Sequence, residues 1–297
     1  MSLTEFFQHL ANGVSLGSLY ALIAIGYTMV YGILRLINFA HGDIFMVAAY
    51  IAFYGILVFT LPWWAAFAAA IVLTALCGAL IERSAYRPLR SSPRISLLIS
   101  AIGVSFFLEN LGLVVFGGRP KSFPRPELFT QAIDINGVTI QSLTFFIPVV
   151  TLIFLLLLVI LIYRTKVGMA MRALARDFDT AKLMAINVDT IVTLTFVVGS
   201  VLAAVGGIMW GLKFPQINPL MGIFPGLKCF IAAVLGGIGN VTGAVIGGFI
   251  LGILEIMLVA FFPELSGYRD AFAFIILILI LLLRPTGIMG ETVAEKV

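Results

Sequence analysis

The side chains able to do chemistry are few and widely spaced. His9 and His41 are the only histidines, and neither has a companion at metal-ligand spacing. Cys77 and Cys229 each lie alone in an apolar stretch, which offers no disulfide framework and no metal pattern. No Gly-x-x-x-x-Gly-Lys-Ser/Thr run is present, so nothing cradles a nucleotide phosphate as a P-loop does. No nucleophile, base and orienting acid fall together. The reading is therefore not an enzyme, and no cofactor is implied.

What remains is polarity in apolar surroundings. Arg35-Leu-Ile-Asn38-Phe-Ala-His41-Gly42-Asp43 interrupts a long apolar region. It reads equally as a solvated hairpin between two membrane spans or as a helix break lining a water-filled path, where irregular backbone is tolerated. On the second reading Asn38, His41, Gly42 and Asp43 touch a passing solute. Gly236-Gly237-Ile-Gly239-Asn240-Val-Thr-Gly243 echoes it in the second half. Corresponding breaks in two halves are the usual pointer to a transport path. Glu109 and Glu255 fall inside apolar spans, where a carboxylate is expensive and functional by default. Glu109, near the end of its span, reads as a helix-end group satisfied by its neighbours. Glu255 is deeper and fits a functional or a paired role equally.

The elements that must position these residues are membrane helices. Of 297 residues, 61% are hydrophobic and 11% charged, against roughly 45–50% and about 25% in soluble domains. The expected fold is an all-α polytopic membrane protein forming one transmembrane domain over 1–297, with eight or nine spans, some broken at Gly-rich points. A span needs about 20 apolar residues. Candidates are 10–34, 42–60, 62–82, 95–116, 144–163, 190–212 and 271–284. The stretch 226–262 holds either two short passes or a half-helix and one full span. Four Gly pairs at four-residue spacing, Gly13/Gly17, Gly207/Gly211, Gly243/Gly247 and Gly248/Gly252, read as close helix packing inside the chain rather than as a subunit contact.

The net charge of +4 points to membrane orientation rather than to nucleic acid. Arg83, Arg87, Arg90 and Arg94 share one loop; Arg164, Lys166, Arg172, Arg176 and Lys182 share another. Together they hold nine of the 18 basic residues, which predicts that both loops are cytoplasmic. The N-terminus then lies outside, as do the Thr60-Leu61-Pro62 turn and the loop 117–143. That last loop conflicts mildly through Arg119, Lys121 and Arg125. Residues 1–9 lack the basic start of a signal peptide and are expected to be retained. The stretch 167–188 lies outside the bilayer. Asp177 and Asp179 suit a helix start, and Phe178, Ala181, Met184 and Ala185 then share one face. It is either a surface connector or a docking helix for a cytoplasmic partner.

Several stretches together resemble a known family. They are Asn12 to Gly32, Ile37-Asn-Phe-Ala-His-Gly-Asp43, Glu82-Arg-Ser-Ala-Tyr-Arg-Pro-Leu-Arg90, Ala233-Val-Leu-Gly-Gly-Ile-Gly-Asn240 and Pro285-Thr-Gly-Ile288. The sequence is similar, nearly end to end, to the LivH-like permeases of bacterial branched-chain amino acid ABC importers. The resemblance implies an inner-membrane subunit that pairs with a second related permease, two cytoplasmic ATPases and a periplasmic binding protein. It makes 167–188 the ATPase-docking loop, with Arg172, Arg176, Asp177, Phe178, Asp179, Ala181, Met184 and Ala185 as its contacts. The loop departs from the Glu-Ala-Ala…Gly form: Asp179-Thr180-Ala181 stands first and Ala185 replaces the Gly. Related permeases handle urea or short-chain amides, which stay open as substrates. A proton-coupled carrier working through Glu255 and a channel-like scaffold are the rival classes.

Overall fold

The computed structural model describes residues 2–135 and 138–290. Among them nine apolar helices form the membrane bundle. Seven helical stretches are long and apolar enough to cross a membrane: Leu3–Leu34, Trp63–Leu89, Arg94–Phe116, Ser142–Arg164, Val188–Lys213, Val241–Phe261 and Pro263–Leu283. Their α-helical parts are α1 (Leu3–Leu34), α3 (Trp63–Ile81), α4 (Arg94–Phe116), α5 (Ser142–Arg164), α8 (Val188–Lys213), α10 (Val241–Phe261) and α11 (Arg269–Leu283). Two more, α2 (His41–Leu57) and α9 (Ile223–Gly236), are shorter, with 17 and 14 residues. The region 226–262 is thus a half-helix followed by a full span, the second of the two expected arrangements. Between α5 and α8 lie α6 (Lys166–Arg176) and α7 (Phe178–Leu183).

α1 is the hub. A capping box opens it: the Ser2 hydroxyl accepts from the Glu5 amide while the Glu5 carboxylate accepts from the Ser2 amide. It packs against α5, α8, α9 and α10, and its apolar window is 94% buried. The Gly pairs explain how it is so closely surrounded. A Cβ on Gly17 would lie 2.8 Å from the Phe249 Cα, and Gly252 abuts the Gly17 backbone. The pairs 13/17 and 248/252 therefore face each other across α1 and α10. Gly207 and Gly211 seat the Phe45 backbone and the Phe123 ring, and Gly243 and Gly247 seat α9. All four pairs serve contacts within the chain, where lipid supplies no hydrophobic drive and close approach does.

The two basic loops lie at one end of the bundle. Arg87 and Arg90 both pair with Asp189 at the start of α8, Arg90 also pairs with the buried Glu82, and the Thr193 hydroxyl donates to Glu82 at 2.6 Å. The opposite end is capped by residues 117–135 and 138–141. Strand β1 (Lys121–Ser122) enters this loop, and β2 (Ala132–Ile135) pairs antiparallel with β3 (Val138–Gln141). β1 pairs antiparallel with β4 (Gln216–Ile217), Lys121 opposite Ile217. The loop's basic residues hold this cap: Lys121 donates to the Tyr54 hydroxyl at 2.6 Å, and Arg125 donates to the Lys213 carbonyl at 2.7 Å. Lys121 and Arg125 are thus tied into local structure, while Arg119 stays exposed.

Candidate functional site

Helix α1 ends where Arg35 adopts a left-handed conformation, φ 54°. The chain then turns back into the bundle instead of staying in solvent. Asn38, His41 and Asp43 are 1–2% exposed, which excludes the solvated-hairpin reading. His41 packs on Gly26 and comes within 3.9 Å of where a Cβ on Gly199 would sit, while Asp43 accepts from the Ser105 hydroxyl at 2.5 Å. Ser105 and Gly199 are the twelfth residues of 23-residue α4 and 26-residue α8. α2 therefore begins near the middle of the bundle. Asn38 and Asp43 each have a local reason to stay. The Tyr86 hydroxyl donates to the Asn38 side-chain carbonyl at 2.7 Å. The His41 ring lies 4.5 Å from that of Tyr27, and its Nε2 has no partner among the described residues. Asp43, in the first turn of α2, faces the positive end of that helix.

The partner of this break is a segment the sequence reading passed over. After β4, residues 218–222 descend from the capped end, and Gly222 meets Gly42 backbone to backbone before α9 starts. Pro215, Asn218 and Pro219 were the available signal, since such residues punctuate helices. The Gly236–Gly243 stretch, expected as the counterpart, lies elsewhere. It is the tight α9–α10 turn at the basic end. Gly237 and Gly239 take φ of 105° and 97°, Gly239 lies beside Gly32 near the end of α1, and the Asn240 amide donates to the Met289 carbonyl at 3.0 Å. Its two glycine ends, Gly236 and Gly243, close on each other. Glycine at both closing positions, 236 and 243, lets the two helix ends approach this closely.

Glu255 is paired. Lys228 on α9 reaches it at 2.8 Å and reaches Asp270 at the start of α11 at 2.7 Å, and the Tyr20 hydroxyl donates to Glu255 at 2.8 Å. Lys228 is a lone cation in an apolar helix. That was a readable signal for an intramembrane partner, and the sequence reading did not use it. Glu109 is half-buried on α4, one turn beyond the Ser105 that binds Asp43.

Asn38→Leu gives a measurable test of the first break. It leaves the Tyr86 hydroxyl, 1% exposed, without its acceptor, at about 1–3 kcal/mol. Thermal unfolding in detergent should show that loss, and Asn38→Leu with Tyr86→Phe should recover most of it. A double variant no more stable than Asn38→Leu would mean that Asn38 acts elsewhere.

The stretch 167–188 forms two helices. Thr165 caps α6, accepting from the Gly168 amide, and Asp177 caps α7, accepting from the Asp179 and Thr180 amides. α6 buries Gly168, Met171 and Leu174 against the bundle, while Arg172 and Arg176 stay exposed. The expected apolar face needs correction. α7 stops at Leu183, and Ala185 lies beyond it at φ 58°. Ala181 is 3% exposed and turned into the chain, whereas Leu183 and Met184 are 87% and 73% exposed. A helical wheel drawn through residue 185 assumed a helix that has already ended.

The sequence and the bundle are similar to those of known proteins. The family model described as "Branched-chain amino acid transport system / permease component" matches residues 9–281. The chain belongs to this permease family. The high-affinity branched-chain amino acid transport system permease protein BraD of Pseudomonas aeruginosa is 46% identical to this permease, covering 99% of this chain and 98% of that one. The LivH permease protein of the corresponding system in Escherichia coli K12 is 44% identical over 98% of each chain. Among solved structures, PsaBC from Streptococcus pneumoniae in complex with Fab aligns with TM-score 0.52 and 14% identity, over 93% of this permease and 91% of that chain. That likeness bears on the fold alone.

Proposed function

We propose that this permease is an inner-membrane subunit of an ABC importer and passes branched-chain amino acids delivered by a periplasmic binding protein. The observation that carries the reading is the 46% identity to a permease of such a system over 99% of the chain. The geometry supports it. Two short helices, α2 and α9, start at mid-depth where their breaks meet, the arrangement expected of a wall that rearranges around a path. Asn38, His41, Gly42 and Asp43 belong to that wall. A second related permease would complete the path and two ATPase subunits would drive it. The basic end is cytoplasmic by its charge, which places the N-terminus outside. A proton-coupled carrier loses its best residue, because Glu255 is held between Lys228 and Tyr20.

The ATPase contact is the end of α7 and the turn after it, through the exposed Leu183 and Met184 rather than the buried Ala181. An apolar anchor seated in a partner contributes about 1.5–3 kcal/mol, so Leu183→Asp with Met184→Asp should weaken ATPase retention by about a hundredfold or more. Co-purification and uptake of leucine in vesicles measure the loss, with membrane insertion unchanged. Met184→Cys should react with an impermeant maleimide in inverted vesicles, not in intact cells, and should be shielded once the ATPases are bound. Labelling from outside the cell, or full ATPase retention by the double variant, would sink this part of the reading.

A further inference from the structure

A cleft of about 480 Å³ opens at the basic end between α1, α5, α6 and the α9–α10 turn. Arg35, Arg172 and Arg176 line it, and among the described residues none that lines it is acidic. Arg35 donates to the Ala175 carbonyl at 3.4 Å, and the Arg172 guanidinium lies 5.1 Å from the Tyr163 ring centre. Neither contact neutralises a charge.

Two walls of the cleft, α5 and the start of α10, each pack on α1. Their outward side chains, such as Ile160 and Ile246, are exposed within the apolar band. On the α1 side of the cleft, Thr28 is 1% exposed and its hydroxyl has no partner among the described residues.

We propose that this cleft binds an anionic phospholipid from the leaflet at the basic end. Three guanidinium groups suit a phosphate, which they bind through paired hydrogen bonds. Basic pockets between membrane helices are where lipid headgroups of this kind settle. Met29, Ile33, Val159, Ile162, Ile238 and Val241 give the walls aliphatic surface, as an acyl chain requires. Thr28 precedes Arg35 by seven residues, about 10 Å along the helix, and the ester carbonyls below a lipid phosphate supply the acceptor its hydroxyl lacks. Free phosphate would occupy the arginines and leave both the apolar walls and Thr28 unmet. The site stands independently of the transported substrate; only the identity of the leaflet rests on the orientation proposed above.

The test is native mass spectrometry of the full chain, with whatever subunits accompany it from the membrane, exposed to phosphatidylglycerol or phosphatidylcholine. Phosphatidylglycerol should be retained in preference. Replacing Arg35, Arg172 and Arg176 together by Gln should lower its retention about a hundredfold. Gly32→Leu tests the same site with every charge in place. A Cβ on Gly32 has nothing nearer than the Gly239 backbone at 3.7 Å, so the side chain fills the cleft without straining the helix and should also expel the lipid. Equal retention of the two lipids would overturn the proposal, as would unchanged retention in both variants. So would displacement by inorganic phosphate alone, or a photoreactive residue at position 163 that captures a protein subunit instead of lipid.

Discussion

Lys228→Met is expected to destabilise the permease by about 3–5 kcal/mol, the range for removing one partner of a buried ion pair. Against a total of about 5–15 kcal/mol, most of the chain should fail to accumulate in the membrane. The asymmetry of the cluster sharpens the prediction. Lys228 is 10% exposed and faces two carboxylates, Glu255 at 8% and Asp270 at 46%. Removing the cation strands a buried negative charge in the apolar band, where only the Tyr20 hydroxyl still meets it. Removing Glu255 instead leaves Lys228 its bond to Asp270. Glu255→Gln should therefore cost less than Lys228→Met, and Lys228→Met with Glu255→Gln should be more stable than Lys228→Met alone. Thermal unfolding in detergent orders the three variants. If the double variant is the weakest, the cluster does not work as a charge pair. Transport by Glu255→Gln with a proton uncoupler present would further separate this structural role from proton coupling.

How much of this was legible in the sequence follows from the range of the interactions. Hydropathy located α2, α3, α4, α5, α8 and α11 within a few residues and missed the first two turns of α1, because lipid demands long apolar runs wherever a helix crosses. The capped start of α7 at Asp177 was equally local. Depth was not local. Whether residues 35–43 sit in water or in the bundle depends on Tyr86 and Gly222, far away along the chain. The motif echo between Gly42 and Gly243 paired the wrong breaks, because glycine serves any close backbone approach and does not say which. Glu255 was visible as an anomaly, but its resolution required Lys228 to arrive from a different helix.

Gly222→Ala is expected to lower transport by more than about tenfold while leaving the chain inserted. Gly222 has φ −78°, an ordinary helical value, so alanine there suffers no backbone strain. The effect is entirely one of space. A Cβ at 222 would collide with the Gly42 carbonyl oxygen, and one at 42 would lie 2.6 Å from the Gly222 carbonyl oxygen. Both obstacles are backbone at helix starts, which cannot swing aside as a long side chain can. Overpacking of this kind costs about 1–3 kcal/mol and wedges α2 from α9 where their breaks meet. Insertion should survive because the α1–α10 contact lies elsewhere. Since one wedge already separates the helices, a second adds less: Gly42→Ala with Gly222→Ala should fall short of the sum of the single effects. Gly239→Ala is the contrast. Its φ of 97° imposes strain, but its nearest neighbour is Gly32 at 3.9 Å, so stability should drop with transport per folded molecule unchanged. Uptake in vesicles, normalised to folded permease, distinguishes the two. Wild-type uptake by Gly222→Ala would mean that the meeting of the two breaks is mere packing and that the moving wall lies on another face of the bundle.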